Sequence, residues 1–225
     1  MRSSCGRPTT SLRLALAALV LFSLAADEGA GERDAAKTLD ALQKRYDSIQ
    51  DLRAEFVQTS FSAALGKETE SRGVVAVKRP GKMRWEYAPP DGRVIVLDGS
   101  TIRIWNPEEK QLQIAPLSPE NVSPTALGFL MGQAKLVDSF AAKSASEPGR
   151  AERGIALTPK QDASFESLTL WLDPKTLQLR ESVVVDLFGN KTRVRLEKIA
   201  ENRGVDGALF ELTAPPGAET VDLRR

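Results

Sequence analysis

The chain contains no histidine, and its single cysteine is Cys5, near the start of a 225-residue sequence. Each absence removes a class of function. Without histidine there is no Ser-His-Asp or Cys-His pair, since histidine is the side chain that ordinarily titrates near neutral pH. Zinc and copper centres built on histidine or cysteine are excluded, and so is an internal disulfide. An enzyme on this chain would have to work with carboxylates, lysine, tyrosine or a hard metal. An excess of one charge is missing too, with 31 basic residues against 30 acidic ones. Such a mixed surface gives no electrostatic case for nucleic acid or for strong adhesion to anionic membrane. No cofactor and no metal are expected.

The first residues read as an export signal. Arg2, Arg7 and Arg13 form a basic leader with no acid before Asp27, followed by an apolar run at 14–24. That run is too short to span a bilayer, which takes about 20 residues. Ser23 and Ala25 put small side chains where signal peptidase cuts. We read 1–25 as a secretory signal, cleaved near Ala25 or Ala26, and 26–225 as one domain, large enough for a sizeable core. Loss of the three leader arginines leaves 28 basic against 30 acidic residues, a net charge of −2. Lipid anchoring would need a cysteine just after the apolar run. Cys5 lies inside the leader, so the exported protein is expected to be soluble and unacylated.

What the chain does have is strand-forming sequence, and 72–106 is its densest stretch. Gly73 to Val77 is an apolar, valine-rich run. Lys82-Met83-Arg84-Trp85-Glu86-Tyr87 alternates, with Met83, Trp85 and Tyr87 on one face and charged residues on the other. Pro89-Pro90-Asp91-Gly92 turns the chain, since Asp-Gly tolerates positive φ. Strands at 94–97 and 101–105 complete an antiparallel meander with one broad apolar face. Before it, 38–49 has the spacing of an amphipathic helix (Leu39, Leu42, Tyr46, Ile49), with Thr38 as a possible cap or an earlier start as the alternative, after a polar, frayed 27–37. Residues 52–61 alternate as a strand, with Ala54, Phe56 and Gln58 on one side.

After a strand at 111–114, three prolines (Pro116, Pro119, Pro124) interrupt the sheet. The stretch 125–131 then reads as a short helix, apolar nearly all round. Two readings are open for it: an ordinary core helix, which the stretch by itself favours, or a lid over an apolar cavity. Residues 136–140 add one more turn. The second half returns to strands at 155–157, 165–172, 177–186 and 191–199. In the third of these, Leu177, Leu179, Val183 and Val185 are assigned to one face, interrupted by Glu181. One helical turn is expected at 206–209, and a polar tail follows Pro215-Pro216-Gly217. About ten or eleven short strands with hairpin turns imply a mainly β (α+β) fold: one antiparallel sheet, strongly curved or nearly closed, with helices on its concave side.

The motifs resemble, in order, a known family. Phe56-Val57-Gln58, Ser71-Arg72-Gly73, the stretch from Lys78-Arg79-Pro80-Gly81 through Tyr87, and Asp98 to Asn106 are similar to the periplasmic lipoprotein carriers of the LolA family. Leu157-Thr158-Pro159, Asp186 to Lys191 and Phe210 to Gly217 continue the match over nearly the whole exported chain. The resemblance implies an unclosed β-barrel of about eleven strands with a lid of short helices over an apolar cavity. It implies a monomeric periplasmic chaperone that accepts acylated lipoproteins from an inner-membrane ABC transporter of the LolCDE type. The chaperone shields their acyl chains and delivers them to the outer membrane, to a LolB receptor where one exists. Carried over residue by residue, Arg79 would latch the lid. Met83, Trp85 and Tyr87 would line the cavity, and Leu127, Phe129 and Leu130 would face them from the lid. Met83 departs from the phenylalanine usual at that place, which changes the acyl-chain fit.

Two other classes compete. A carrier of other lipids or glycolipids, or a lipid-responsive sensor, would use the same fold. An enzyme would need a carboxylate pair in a cleft. Glu86, Glu166, Glu181 and Asp186 are available, but nothing in the sequence brings two together, and each reads as a solvated strand residue.

Overall fold

The computed structural model describes residues 21–117 and 135–224. Helix α1 (Leu21–Asp47) leads into β1 (Asp51–Ser62), β2 (Lys67–Lys78), β3 (Lys82–Tyr87), β4 (Val94–Asp98), β5 (Thr101–Asn106) and β6 (Gln111–Pro116). A single turn of helix, α2 (Leu136–Ser139), precedes β7 (Phe140–Ala145), β8 (Arg153–Pro159), β9 (Phe165–Leu172), β10 (Leu179–Asp186) and β11 (Lys191–Glu201). A 3₁₀ turn (Gly207–Phe210) and β12 (Glu219–Asp222) end the chain.

The strands form one sheet in the order β12-β6-β5-β4-β3-β2-β1-β11-β10-β9-β8-β7. Neighbours are antiparallel apart from β12, which runs parallel to β6. β7 and β12 are the two edges, so the barrel is unclosed. Among the described residues there are twelve strands, against the ten placed from sequence and the ten or eleven expected. The additions are β7 and β12, the latter in what reads from sequence as a polar tail.

Curvature follows from what the inner face buries. Ala35, Leu39, Leu42 and Tyr46 make a helical stripe on α1, at spacings of three and four. They share one core with Val75, Val77 and Trp85 from the first half of the sheet and Ile155, Leu157 and Leu170 from the second. Strands from both halves reach one helix only if the sheet wraps around it. The outer face carries a smaller core, in which Ala76, Val94 and Val96 meet Val205 and Phe210. The backbone of this returning segment is held by the sheet: Lys78 Nζ donates to the Val205 carbonyl (2.6 Å), Arg84 to Leu209 (3.3 Å) and Arg103 to Leu212 (3.1 Å).

Four local expectations are corrected. The helix is longer than 38–49, and 27–37 is helical rather than frayed. Contacts from β7 support that earlier half: Ser144 Oγ donates to the Gly31 carbonyl (3.0 Å), and Lys143 pairs with Glu32 (3.3 Å). Thr38 is therefore not a cap but an interior residue whose hydroxyl donates to the Asp34 carbonyl at 2.9 Å. In β10 a register shift between Leu179 and Glu181 inverts the alternation, so Leu179 and Val184 face the main core while Val183 and Val185 face outward. Glu181 is not solvated. It is 1% exposed and lies against Arg150 (2.9 Å), Arg193 (2.7 Å) and Arg195 (3.3 Å). Arg150 in turn lies over the ring of Trp171, 4.0 Å from its centroid. The other three carboxylates stay apart: Glu86 pairs with Arg84, Glu166 is exposed, and Asp186 closes the β10–β11 turn.

Candidate functional site

The candidate site is the concave face of β1 to β4. Period-two alternation sends Leu52, Ala54 and Phe56 inward from β1 and Met83, Trp85 and Tyr87 inward from β3. Register sets them in rows across β2: Phe56, Gly73 and Tyr87 in one, Ala54, Val75 and Trp85 in the next, Leu52, Val77 and Met83 in the third. Leu97 and Ile95 of β4 extend the last two rows. Met83, Trp85 and Tyr87 thus stand together on one inner face, each no more than 9% exposed.

Three aromatic rings cluster there. Phe56 lies 4.3 Å from Trp85 in a tilted contact and 5.3 Å from Tyr87, edge to face. Such pairs add specificity of shape to plain apolar burial. Gly73 makes the Phe56–Tyr87 contact possible, because a Cβ there would meet the Phe56 ring at 2.7 Å and collide with the Glu86 carbonyl. The Tyr87 hydroxyl donates to Gln58 Oε1 at 3.0 Å, and the Arg93 guanidinium sits over the Tyr87 ring at 4.9 Å. Burial pushes the Tyr87 hydroxyl above the usual tyrosine range. It therefore stays a neutral donor at physiological pH. Trp85 Nε1 is buried and has no hydrogen-bond partner among the described residues. The face is thus apolar with two polar points, the Tyr87 hydroxyl and the Trp85 N–H.

Arg79 lies on the β2–β3 turn, at the end of the sheet where α1 finishes. Its guanidinium pairs with Asp47 at 3.7 Å and is 15% exposed. Asp47 also accepts from Gln43 Nε2 (2.9 Å), and Gln43 Oε1 accepts the backbone N–H of Leu136 (2.8 Å). A polar chain thus runs from Arg79 through the last turn of α1 to the point where the described chain resumes before β7. Leu127, Phe129 and Leu130 lie outside the described residues.

Phe56 belongs to this face as much as the β3 residues; its side of the strand at 52–61 was legible from alternation, but not that it meets Trp85 and Tyr87. Half-buried Ile95, Ile104, Phe140 and Val184 also pack against the same core. The strands that hold Ile95 and Ile104 were legible, whereas Phe140 was assigned to a helical turn and Val184 lies in the strand whose faces were exchanged. Among the described residues no group of three histidine, cysteine or acidic side chains is placed to hold a metal, and no helix is long and apolar enough to cross a membrane.

Comparison with known proteins agrees with this architecture. Residues 47–213 match the family model "Outer membrane lipoprotein carrier protein LolA". An outer-membrane lipoprotein carrier protein of Dechloromonas aromatica is 34% identical over 188 residues, covering 83% of this chain and 88% of that one. Another from Chromohalobacter salexigens is 30% identical over 210 residues, covering 92% and 95%. Among solved structures, an uncharacterised conserved protein from Thermus thermophilus superposes with a TM-score of 0.51 at 14% identity, covering 83% of this chain and 97% of that one. A DUF1329 family protein from Desulfovibrio piger gives the same TM-score of 0.51 at 14% identity, covering 80% and 97%. These two support the fold alone. The chain belongs to the LolA family of outer-membrane lipoprotein carrier proteins, which are chaperones rather than enzymes.

Proposed function

We propose that this carrier takes acylated lipoproteins from an inner-membrane ABC transporter, holds their acyl chains against the concave face, and delivers them to the outer membrane. In this reading it works as a monomer in the periplasm, after removal of residues 1–25. The observation that supports it best is the continuous apolar face built by Phe56, Met83, Trp85 and Tyr87. The physical need is plain. Each methylene left in water costs about 0.8 kcal/mol, so long acyl chains do not cross an aqueous compartment unaided.

Release matters as much as capture, so the cover over the chains must open reversibly. Leu127, Phe129 and Leu130 form the apolar side of that cover, and Arg79 is its latch. A guanidinium suits the task because its five donors sit in a rigid fork. The chain of contacts from Arg79 through Asp47 and Gln43 to the Leu136 N–H supports a link between this turn and the chain just before β7.

The test is native mass spectrometry of the exported protein after incubation with inner-membrane vesicles that hold the transporter, ATP and a triacylated lipoprotein. A one-to-one complex that requires ATP is expected. A bound free phospholipid or glycolipid would make it a carrier of other lipids. An empty protein, with the lipoprotein left in a membrane whose transporter is active, would remove the reading.

A further inference from the structure

Two hairpin tips lie side by side at one end of the sheet. One joins β1 to β2 at 63–66 and the other joins β10 to β11 at 187–190. Pairing of β1 with β11 as far as Phe61 and Lys191 brings them together. Among the described residues these tips carry the three most exposed large apolar side chains: Leu65 at 72%, Leu187 at 64% and Phe188 at 84%. Nothing in the two cores uses them.

The tips are braced. The Asp186 carboxylate accepts the N–H groups of Phe188 (2.8 Å) and Asn190 (2.9 Å) and the Asn190 side-chain amide (2.7 Å). The oxygen of that same amide accepts the Ala63 N–H from the other hairpin at 3.0 Å. One side chain therefore ties both turns, and the apolar groups are held out at fixed places. Behind them on the outer face lies a groove of about 270 Å³, where Phe61 and Val183 are flanked by Thr59, Glu68, Lys191 and Arg193. Lys67 and Lys191 are exposed and stand just behind the tips in the two hairpins.

We propose that this end of the sheet docks on a phospholipid bilayer, with Leu65, Leu187 and Phe188 entering its interfacial region and Lys67 and Lys191 meeting its phosphates. The order of groups is what points to a bilayer. Apolar side chains come first and ammonium groups follow a short step behind, matching acyl chains beneath headgroups. The tips also protrude, whereas a protein partner would need a preformed hollow to receive them. Net charge contributes little, and Glu68 offsets part of the local attraction. The contact is therefore weak and reversible, as a protein that visits a membrane and leaves requires. The inference goes beyond the carrier reading, because docking by a cargo-free protein does not depend on what the concave face holds.

The test is flotation of the delipidated exported protein with vesicles of phosphatidylethanolamine and phosphatidylglycerol. The unmodified protein is expected to float with the vesicles. The Leu65→Ser/Phe188→Ser variant should bind at least about tenfold more weakly, the loss of two inserted apolar side chains. Lys67→Gln/Lys191→Gln should bind more weakly than the unmodified protein and lose its sensitivity to salt. Both should melt at the unmodified temperature, since every altered side chain is exposed. Flotation of the serine variant equal to the unmodified protein would overturn the proposal, as would no flotation of either. Binding to native membranes but not to lipid-only vesicles would replace the bilayer with a protein partner and overturn it too.

Discussion

The hydroxyl of Tyr46, near the end of α1, accepts the backbone N–H of Leu179 over 2.8 Å, and both residues are 1% exposed. Leu179 stands next to the bulge in β10, so a helix side chain satisfies a buried donor where the strand register shifts. Tyr46→Phe keeps the ring and strands that donor. Unfolding by urea should show a loss of about 1–3 kcal/mol. The same residue gives a pH signature. Burial pushes its hydroxyl from 10.0 up to about 12. The folded state then keeps a proton that the unfolded state has lost, so this contribution is whole below pH 10 and is lost as pH rises toward 12. In that window stability should fall more steeply in the unmodified protein than in Tyr46→Phe, by about 1.4 kcal/mol per pH unit.

Gly73→Ala should destabilise by at least about 2 kcal/mol, because the new methyl group meets both the Phe56 ring and the Glu86 carbonyl. Shrinking the ring should not repair it. In a Phe56→Leu background the same substitution should still be costly, since the carbonyl belongs to the adjoining strand and does not move aside. Full rescue in the double variant, measured by thermal unfolding, would show that the ring alone sets the constraint.

Glu181→Gln leaves three guanidinium groups around an uncharged, 1% exposed side chain. The expected loss is about 3 kcal/mol. Arg193→Gln and Arg195→Gln should each cost much less, because those arginines are 45% and 55% exposed and the carboxylate keeps other partners. Equal losses in all three variants, measured by urea unfolding, would contradict this ordering.

How far the fold was legible follows from the same residues. The alternation of Lys82 to Tyr87 was read correctly, because period two survives wherever a strand has one buried face. The β10 alternation was misread because a bulge adds one residue, and a one-residue slip exchanges the faces. Glu181 could not be recognised as buried, since its partners come from positions 150, 193 and 195, which only the fold brings together. β12 escaped because a four-residue parallel edge strand needs little alternation, and only Val221 is apolar in it. The length of α1 was underestimated because Ala35, though fully buried, is a weak apolar signal. For the site, Met83, Trp85 and Tyr87 were legible as one face. The inclusion of Phe56 rested on strand register, which local sequence does not specify.

Arg79→Leu should leave the melting temperature within a few degrees of the unmodified value, since it removes a partly exposed ion pair at 3.7 Å. Transfer of lipoprotein from carrier to outer-membrane acceptor should nonetheless fall severalfold. Normal transfer by this variant, measured with a radiolabelled lipoprotein, would sink the latch.

Met83→Glu should weaken binding of an acylated peptide by tenfold or more, as a carboxylate is costly on an apolar face. Met83→Leu, which keeps the volume, should bind nearly as well as the unmodified protein. Equal binding by all three proteins in a fluorescent acyl-peptide titration would place position 83 away from the ligand.

In the proposed function acyl chains lie on the concave face. Photo-crosslinking from single positions reports where the chains sit. Benzoylphenylalanine at position 83 faces inward from β3, and at position 57 it faces outward from β1. After loading with a triacylated lipoprotein, irradiation and mass mapping, adducts to acyl carbons are expected from position 83 and none from position 57. Adducts from position 57 alone, or equal yield from both, would contradict it.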